Sequence, residues 1–291
     1  MIEDKILKLY REELEYLPGE NAHIPVFGEP DVRIAAADDY VIKNLKTVIG
    51  NFHWSPDEAL KHAFPGNQVP AASVISWCLP ASEAARKANR REDYYPSREW
   101  AWTRTFGENM SDRMKTRLSA WLTEKGFPAT APGISPDFGF IQDSPVGIAS
   151  QWSERHHAWA AGHGTFGISG GLITRHGIAH RLGSVVTTLP IEADVREYGD
   201  DPFAWCLKSA KGTCGVCINR CPVGSIGENH EERNKDLCAE HDMKRIAAQY
   251  GKLYDWEGIY GCGLCQTGVP CEFKKPENID ILPSMENSSA S

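Results

Sequence analysis

No stretch of 18 consecutive apolar residues occurs in this 291-residue chain, which argues against a membrane-spanning helix. The opening residues, Met1-Ile2-Glu3-Asp4-Lys5, are charged and carry no apolar core of a secretory signal. Arg90-Arg91 is internal and so is no twin-arginine leader. The expectation is a cytoplasmic protein with no membrane attachment. Positive charge is scarce as well: 31 Lys and Arg stand against 39 Asp and Glu, a net charge of −8. A chain of that sign has no general attraction for nucleic acid. Internal repeats are missing, and low complexity is confined to a tail holding Ser288, Ser289 and Ser291.

A reducing compartment gives little use for structural disulfides, yet the chain has nine cysteines. Eight of them lie between Cys206 and Cys271, and only Cys78 stands apart. Metal binding or redox chemistry is the reading that fits. Hydrophobic residues make up 41% and charged residues 24%, enough apolar material for a packed core.

Periodicity predicts an amphipathic helix over Ile2 to Leu17, stopped by Pro18-Gly19. The apolar run from Ala71 to Leu79, between two prolines, predicts a buried strand. Ser111 to Lys125 predicts a helix capped by Ser111, and Ser150 to Ala161 another. Leu172-Ile173-Thr174 and Gly183 to Leu189 predict strands. Helices and strands followed by a cysteine module suggest an α+β (α/β-like) core with an appended domain. The basic stretch from Arg86 to Arg117 is expected to be a solvated helical face.

The cysteine run is Cys206-(x7)-Cys214-(x2)-Cys217-(x3)-Cys221-Pro222. Its last three cysteines and proline match the bacterial ferredoxin run, in which the fourth cysteine ligates the other cluster. Lys211 occupies the expected first position, and Cys206 replaces it if a short loop bulges. Cys238, Cys262-(x2)-Cys265 and Cys271 supply the second half. The crossing rule then assigns Cys206, Cys214, Cys217 and Cys271 to one 4Fe–4S cluster. Cys221, Cys238, Cys262 and Cys265 go to the other. Two structural zinc ions are the rival reading, because Cys-x2-Cys pairs serve zinc too. Cys78, without a partner, is expected to be a small buried hydrophobe.

Gly162-His163-Gly164-Thr165-Phe166-Gly167 spells a dinucleotide fingerprint. That motif needs a strand before the glycines and a helix after them. Here a helix is predicted before and a strand after, so nicotinamide dinucleotide binding is rejected. Close approach of backbone to a flat ligand remains one reason for so much glycine.

With these segments in place, the chain resembles the epoxyqueuosine reductase and reductive dehalogenase superfamily, in a short form without a C-terminal helical repeat region. The resemblance covers about residues 70–275. Its carriers are Asp143-Ser144-Pro145-Val146, Ala161 to Gly167, Gly171-Leu172-Ile173-Thr174, Thr187-Thr188-Leu189-Pro190, and Cys262-Gly263-Leu264-Cys265-Gln266. It implies an N-terminal helical segment (residues 1–30) and a nitroreductase-like cobalamin-binding core (31–195). A ferredoxin-like domain with two 4Fe–4S clusters (196–291) would follow. It implies cobalamin held base-off between the domains, with Gly164, Gly167, Leu172, Thr174, Ser184 and Thr187 as cofactor contacts. Asp143 aligns with the family's proton donor; beside an apolar corrinoid its pKa would rise and it could donate. Tyr94, Tyr95 and Arg104 are looser candidates for the substrate face. The implied activity is reduction of a small oxidised molecule, epoxide or organohalide-like. Electrons would come from an external low-potential donor of ferredoxin or flavodoxin type. The net charge and the short form speak against tRNA as partner. An electron-transfer or corrinoid-activating protein without its own substrate is the alternative.

Overall fold

The structure, a computed structural model, describes residues 1–277 apart from Asn67, Asp255 and Glu257. The serine-rich tail lies outside the described residues. Helix and sheet are mixed, as an α+β reading requires. Among the described residues no helix is long and apolar enough to cross a membrane.

A four-stranded antiparallel sheet organises the core. It is built from β1 (Asp31–Ala36), β2 (Ser73–Pro80), β3 (Ala129–Thr130) and β8 (His180–Thr187), in the order β1-β2-β8-β3. β2 is central and buried along almost its whole length, which is why its sequence is nearly continuously apolar. Its side chains still alternate between faces. Ile75, Trp77 and Leu79 join Met110, Met114, Leu118 and Leu122 of α6 (Arg98–Glu124), together with Ile6 and Leu9 of α1 (Ile2–Glu12). Val74 joins Val41, Ile42 and Leu60 of α2 (Tyr40–Lys43) and α4 (Pro56–Ala63) on the opposite face. Cys78 joins Ala158 of α7 (Glu154–Ala160) there. Helices therefore cover both faces. Gly183 sits opposite Trp77, and a Cβ there would come 2.6 Å from the indole, so the missing side chain is what lets the ring lie across β8.

Three boundaries differ from expectation. The first helix ends at Glu12, because the chain turns to hydrogen-bond back on itself: Val26 N donates to Glu15 O at 2.9 Å and Leu17 N to Ile24 O at 2.9 Å. Leu17 stays buried all the same. Ser111 is no cap but a buried position inside α6, whose N-terminus is capped by Ser97 (Trp100 N to Ser97 Oγ, 3.2 Å). The helix predicted from Ser150 starts at Glu154, since Ala149–Ser150 forms β5 with β4 (Phe140–Ile141). α3 (Leu45–Ile49) and α5 (Glu83–Arg90) complete the core helices.

The glycine segment after α7 is a hairpin of β6 (Gly164–Phe166) and β7 (Leu172–Thr174). No helix follows it, so the dinucleotide geometry is missing as expected. Gly164 is required by contact: a Cβ would lie 1.9 Å from Ile173 O.

The cysteine module folds back onto this hairpin. Trp205 N donates to Thr165 Oγ1 at 2.9 Å, and Ile178 N donates to Cys271 O at 2.8 Å. Its helices are short: α8 (Leu207–Lys211), α9 (Val216–Asn219), α10 (Lys235–Ala239) and α11 (Ile246–Tyr254), with a π-helical stretch at Glu240–Arg245. Arg220 clamps it to the core. Its Nε donates to Leu264 O and Thr267 O, and its two Nη atoms reach Arg90 O, Glu92 O and Asn89 O at 3.1–3.3 Å.

The basic stretch is not a free solvated face. Arg86 and Arg90 pair with buried Glu272, Arg113 pairs with Glu13 and Glu15, and Arg117 with Glu12 and Glu13. Those arginines hold the chain together.

Candidate functional site

The clustered cysteines lie close enough to feel one another's charge. Burial first, then the nearby Cys206 and Cys214, push the Cys217 thiol up to about 11. Burial, then Cys217, Cys206 and Cys214, raise Cys271 in the same way. These four form one group, fixed by the N-terminus of α8 and by the 271–272 segment laid against residues 178–179. In the second group, burial, then Cys265, Asp242 and Cys238, raise Cys262. Burial pushes Cys265 up to about 12; Arg233 opposes this, and Cys238, Cys217 and Cys221 add to it. Cys265 feels Cys217 as well, so the two groups are neighbours. A thiol so raised releases its proton when a metal supplies the positive charge.

Local backbone serves the sulfurs. Ser225 N lies 3.2 Å from Cys221 Sγ and Ser225 Oγ 3.4 Å. Burial disfavours the Cys221 thiolate, but these and neighbouring backbone donors outweigh it and lower the pKa. Asp242 Oδ1 accepts from Gly261 N (2.9 Å) and Cys262 N (2.6 Å), shaping the turn that presents Cys262. Gly263 has a φ of +61° and lies so close to Trp100 that a Cβ would be 2.0 Å from the indole nitrogen. Among the described residues, no three His, Cys, Asp or Glu side chains are disposed to hold a single metal ion.

Cys78 lies apart, wholly buried in β2, with its sulfur 3.7 Å from Thr174 Oγ1. Burial raises its pKa strongly.

Between the second cysteine group and the core lies a recess. Arg155 of α7 is open to solvent, yet burial is the largest force on its charge, lowering its pKa to about 10 with help from Arg233 and Arg104. Arg181 of β8 behaves alike: 23% of its side chain is exposed, and burial, then Arg104, lower it to about 9. His156 is lowered to about 3 by burial and then by Arg155. Lys235 of α10 is lowered by burial, then by Arg155 and Arg233. Arg104 of α6 lies over the Tyr260 ring at 5.6 Å. The Arg181 Nε and Arg233 Nε atoms are buried without a partner.

At the edge of this recess, Glu154 receives a hydrogen bond from Ser184 Oγ at 2.5 Å and lies 3.6 Å from Lys115 Nζ. Burial raises the Glu154 pKa, and Lys115 only partly counters it. Burial opposes the Lys115 charge, but the carboxylates of Glu154 and Asp112 more than restore it. Lys115 therefore stays charged while shared among Glu108, Asp112 and Glu154, and Glu154 is the carboxyl that holds a proton to higher pH.

Asp143 lies elsewhere, exposed at the tip of the β4–β5 hairpin. Lys235 ties the hairpin's return to the recess wall, donating to Val146 O (2.5 Å) and Ile148 O (3.1 Å). The six residues expected to contact a cofactor are all buried, and three hydroxyls among them are engaged internally. Thr174 Oγ1 donates to Gly177 O, Ser184 Oγ to Glu154, and Thr187 Oγ1 accepts from Leu189 N. Tyr94 and Tyr95 pack edge-on at 4.9 Å beside His241, while Arg104 belongs to the recess. Of the recess residues Arg104 alone was a candidate from the sequence; Arg155, Arg181, Arg233 and Glu154 were not. A separate cavity of about 410 Å³ opens near Lys43, Lys46, His53 and Asp57, and none of the sequence-predicted site residues lines it.

No family model matches the chain, and no curated protein matches it. Solved structures do. A catabolic reductive dehalogenase superposes with a TM-score of 0.50 at 10% identity, over 95% of this chain and 36% of its own. An epoxyqueuosine reductase from Streptococcus thermophilus superposes at 0.46 and 17% identity, over 96% of this chain and 69% of its own. One from Bacillus subtilis gives 0.44 and 18%, over 86% and 63%. The dehalogenase likeness establishes a shared fold. The chain spans little more than a third of that dehalogenase.

Proposed function

We propose that the chain is an oxidoreductase that uses two 4Fe–4S clusters and cobalamin to reduce a small oxidised molecule, of epoxide or organohalide type. The observation that supports this is the gathering of the clustered thiols within reach of one another's charge: Cys206, Cys214, Cys217 and Cys271 on one side, and Cys262 and Cys265 with Cys238 on the other. In this reading residues 196–291 form the ferredoxin-like module and 31–195 the nitroreductase-like core.

The donor set fits the clusters: Cys206, Cys214, Cys217 and Cys271 would hold one, and Cys221, Cys238, Cys262 and Cys265 the other. The recess fits a macrocycle with polar edges, since enclosed donors such as Arg181 Nε lack partners there. The glycine hairpin with Gly164, Gly167, Leu172 and Thr174, and β8 with Ser184 and Thr187, would form its backing. A bound cobalamin would supply a low-potential metal that takes up electrons and delivers them to the substrate. This chain's own residues do the rest. Cys265, which feels thiols of both groups, links the clusters. Glu154 keeps a proton at the recess, and Asp143 can bring another on its hairpin, whose return strand Lys235 holds. The electron donor would be an external ferredoxin or flavodoxin. A tRNA substrate is disfavoured by the net charge of −8. The cytoplasm, where such clusters survive reduced, is the proposed location.

Protein purified without oxygen should contain iron and sulfide in equal amounts, about eight of each per chain, and take up cobalamin with a changed visible spectrum. Zinc in place of iron would end the redox reading, and iron without corrinoid uptake would leave the electron-transfer alternative.

A further inference from the structure

Two guanidinium groups converge on Gly170. Arg155 Nη1 donates to Gly170 O at 2.5 Å, and a Cβ on Gly170 would lie 2.0 Å from Arg233 Nη1. The residue has a φ of +72°, so both its conformation and its missing side chain serve this meeting. Neither arginine has a carboxylate partner among the described residues, and neither do Arg104 and Lys235. Elsewhere in the same chain Arg113, Arg117, Arg175, Arg196 and Arg245 are all paired with acids. In a protein of net charge −8, four cations without a carboxylate partner gathered in one place are not a by-product of composition.

The nearby acids are engaged. Asp242 holds the backbone at Gly261 and Cys262, Glu154 is shared by Ser184 and Lys115, and Glu108 pairs with Arg181 and Lys115. Cys238 Sγ, at 3.7 Å, takes one nitrogen of Arg233, and Gly170 O takes one of Arg155. The rest of each fork is open, and Arg233 Nε is buried with nothing to donate to. Neighbouring like charges are tolerated when an anion joins them, and a planar guanidinium matches an oxyanion with two parallel hydrogen bonds.

We propose that the recess binds a small substrate bearing an oxyanion group, a carboxylate or a phosphate, clasped between Arg155 and Arg233. This rests on the reductase reading and names the substrate class for it. Arg104 and Lys235 add charge at the rim and favour entry of an anion.

The test is a calorimetric titration of the anaerobically prepared holoprotein with inorganic phosphate and, separately, with benzoate. Arg155→Gln and Arg233→Gln should each weaken binding of the preferred anion at least about tenfold, which is about 1.4 kcal/mol. Arg117→Gln, paired with Glu12 and Glu13 outside the recess, should leave it unchanged. Should Arg155→Gln not fold, Arg155→Lys keeps the charge, loses the fork, and should still weaken binding. The stronger of the two anions identifies the group. Equal binding by all variants, or no binding of either anion to the parent protein, overturns the proposal. So does displacement of phosphate by added cobalamin, which would make the anion the cofactor's own. Iron and sulfide are assayed on the same samples. Arginine-dependent binding without iron sinks the reductase reading alone, and full iron without anion binding sinks this proposal alone.

Discussion

Arg90 grips Glu272 with two nitrogens, Nε and Nη2, both at 2.7 Å. Arg86 Nη1 adds a third contact at 3.1 Å and Gly268 N a fourth at 2.7 Å. Glu272 is almost wholly buried and follows Cys271 directly, so an ion pair made by α5 fixes the position of a proposed cluster ligand. Glu272→Ala should cost about 3 kcal/mol, because two guanidinium groups lose their acid. Thermal unfolding would register that loss, and iron content should fall with it. Unchanged iron at reduced stability would show that Cys271 does not depend on this anchor.

Gly263→Ala combines a left-handed backbone with collision against buried Trp100. The expected cost is about 2–3 kcal/mol, with iron falling to about half as the cluster at Cys262 and Cys265 is lost. Iron and sulfide assays decide it.

Cys78→Ala should retain the full iron content and lose only about 1–2 kcal/mol from the small void in the sheet. Cys262→Ala, by contrast, should lose one cluster. Loss of iron in the Cys78 variant would overturn the partition of the cysteines.

Asp143→Asn and Glu154→Gln separate two proton sources. If Asp143 delivers the proton, its variant should lose about 10²- to 10⁴-fold in turnover while keeping clusters and cofactor. If the carboxyl held at the recess delivers it, Glu154→Gln shows that loss instead. A pH–rate profile distinguishes them, since burial places the Glu154 limb at higher pH than an ordinary carboxylate.

Acid should destabilise the fold through its buried histidines. His53 and His180 are held to about 4, and His156 to about 3, mainly by burial. The unfolded chain binds protons near pH 6.5 and the folded chain refuses them. Their contribution is therefore complete above about pH 6.5 and is lost as pH falls toward 4. Unfolding temperatures measured from pH 7.5 to 5 should decline, and His53→Gln, which keeps an acceptor for Ser153 N, should flatten the slope.

The cysteine module was legible in the sequence because its spacing is local: Cys214-x2-Cys217-x3-Cys221 and Cys262-x2-Cys265 announce themselves. The central strand was legible because burial on both faces leaves an apolar run between prolines. The recess as a whole was not: Arg104 of α6 was a candidate, but Arg155, Arg181 and Arg233 come from α7, β8 and the loop before α10. Nothing in their spacing joins them. The start of α6 was missed because Pro96-Ser97 carries the cap, and the helix runs through Gly107, where a Cβ would strike Phe27 at 2.5 Å. Asp143 was singled out by resemblance, whereas Glu154, whose pKa burial raises, has no motif around it.

The bonds from Ile178 N to Cys271 O and from Ala179 N to Glu272 O make the last described turns of the chain part of the hairpin region formed some ninety residues earlier. A ribosome emits the polypeptide from one end, so that seam can shut only after synthesis has passed it. Were Cys271 the fourth companion of Cys206, Cys214 and Cys217, as proposed, loading of that cluster would be a post-translational step on a core already folded.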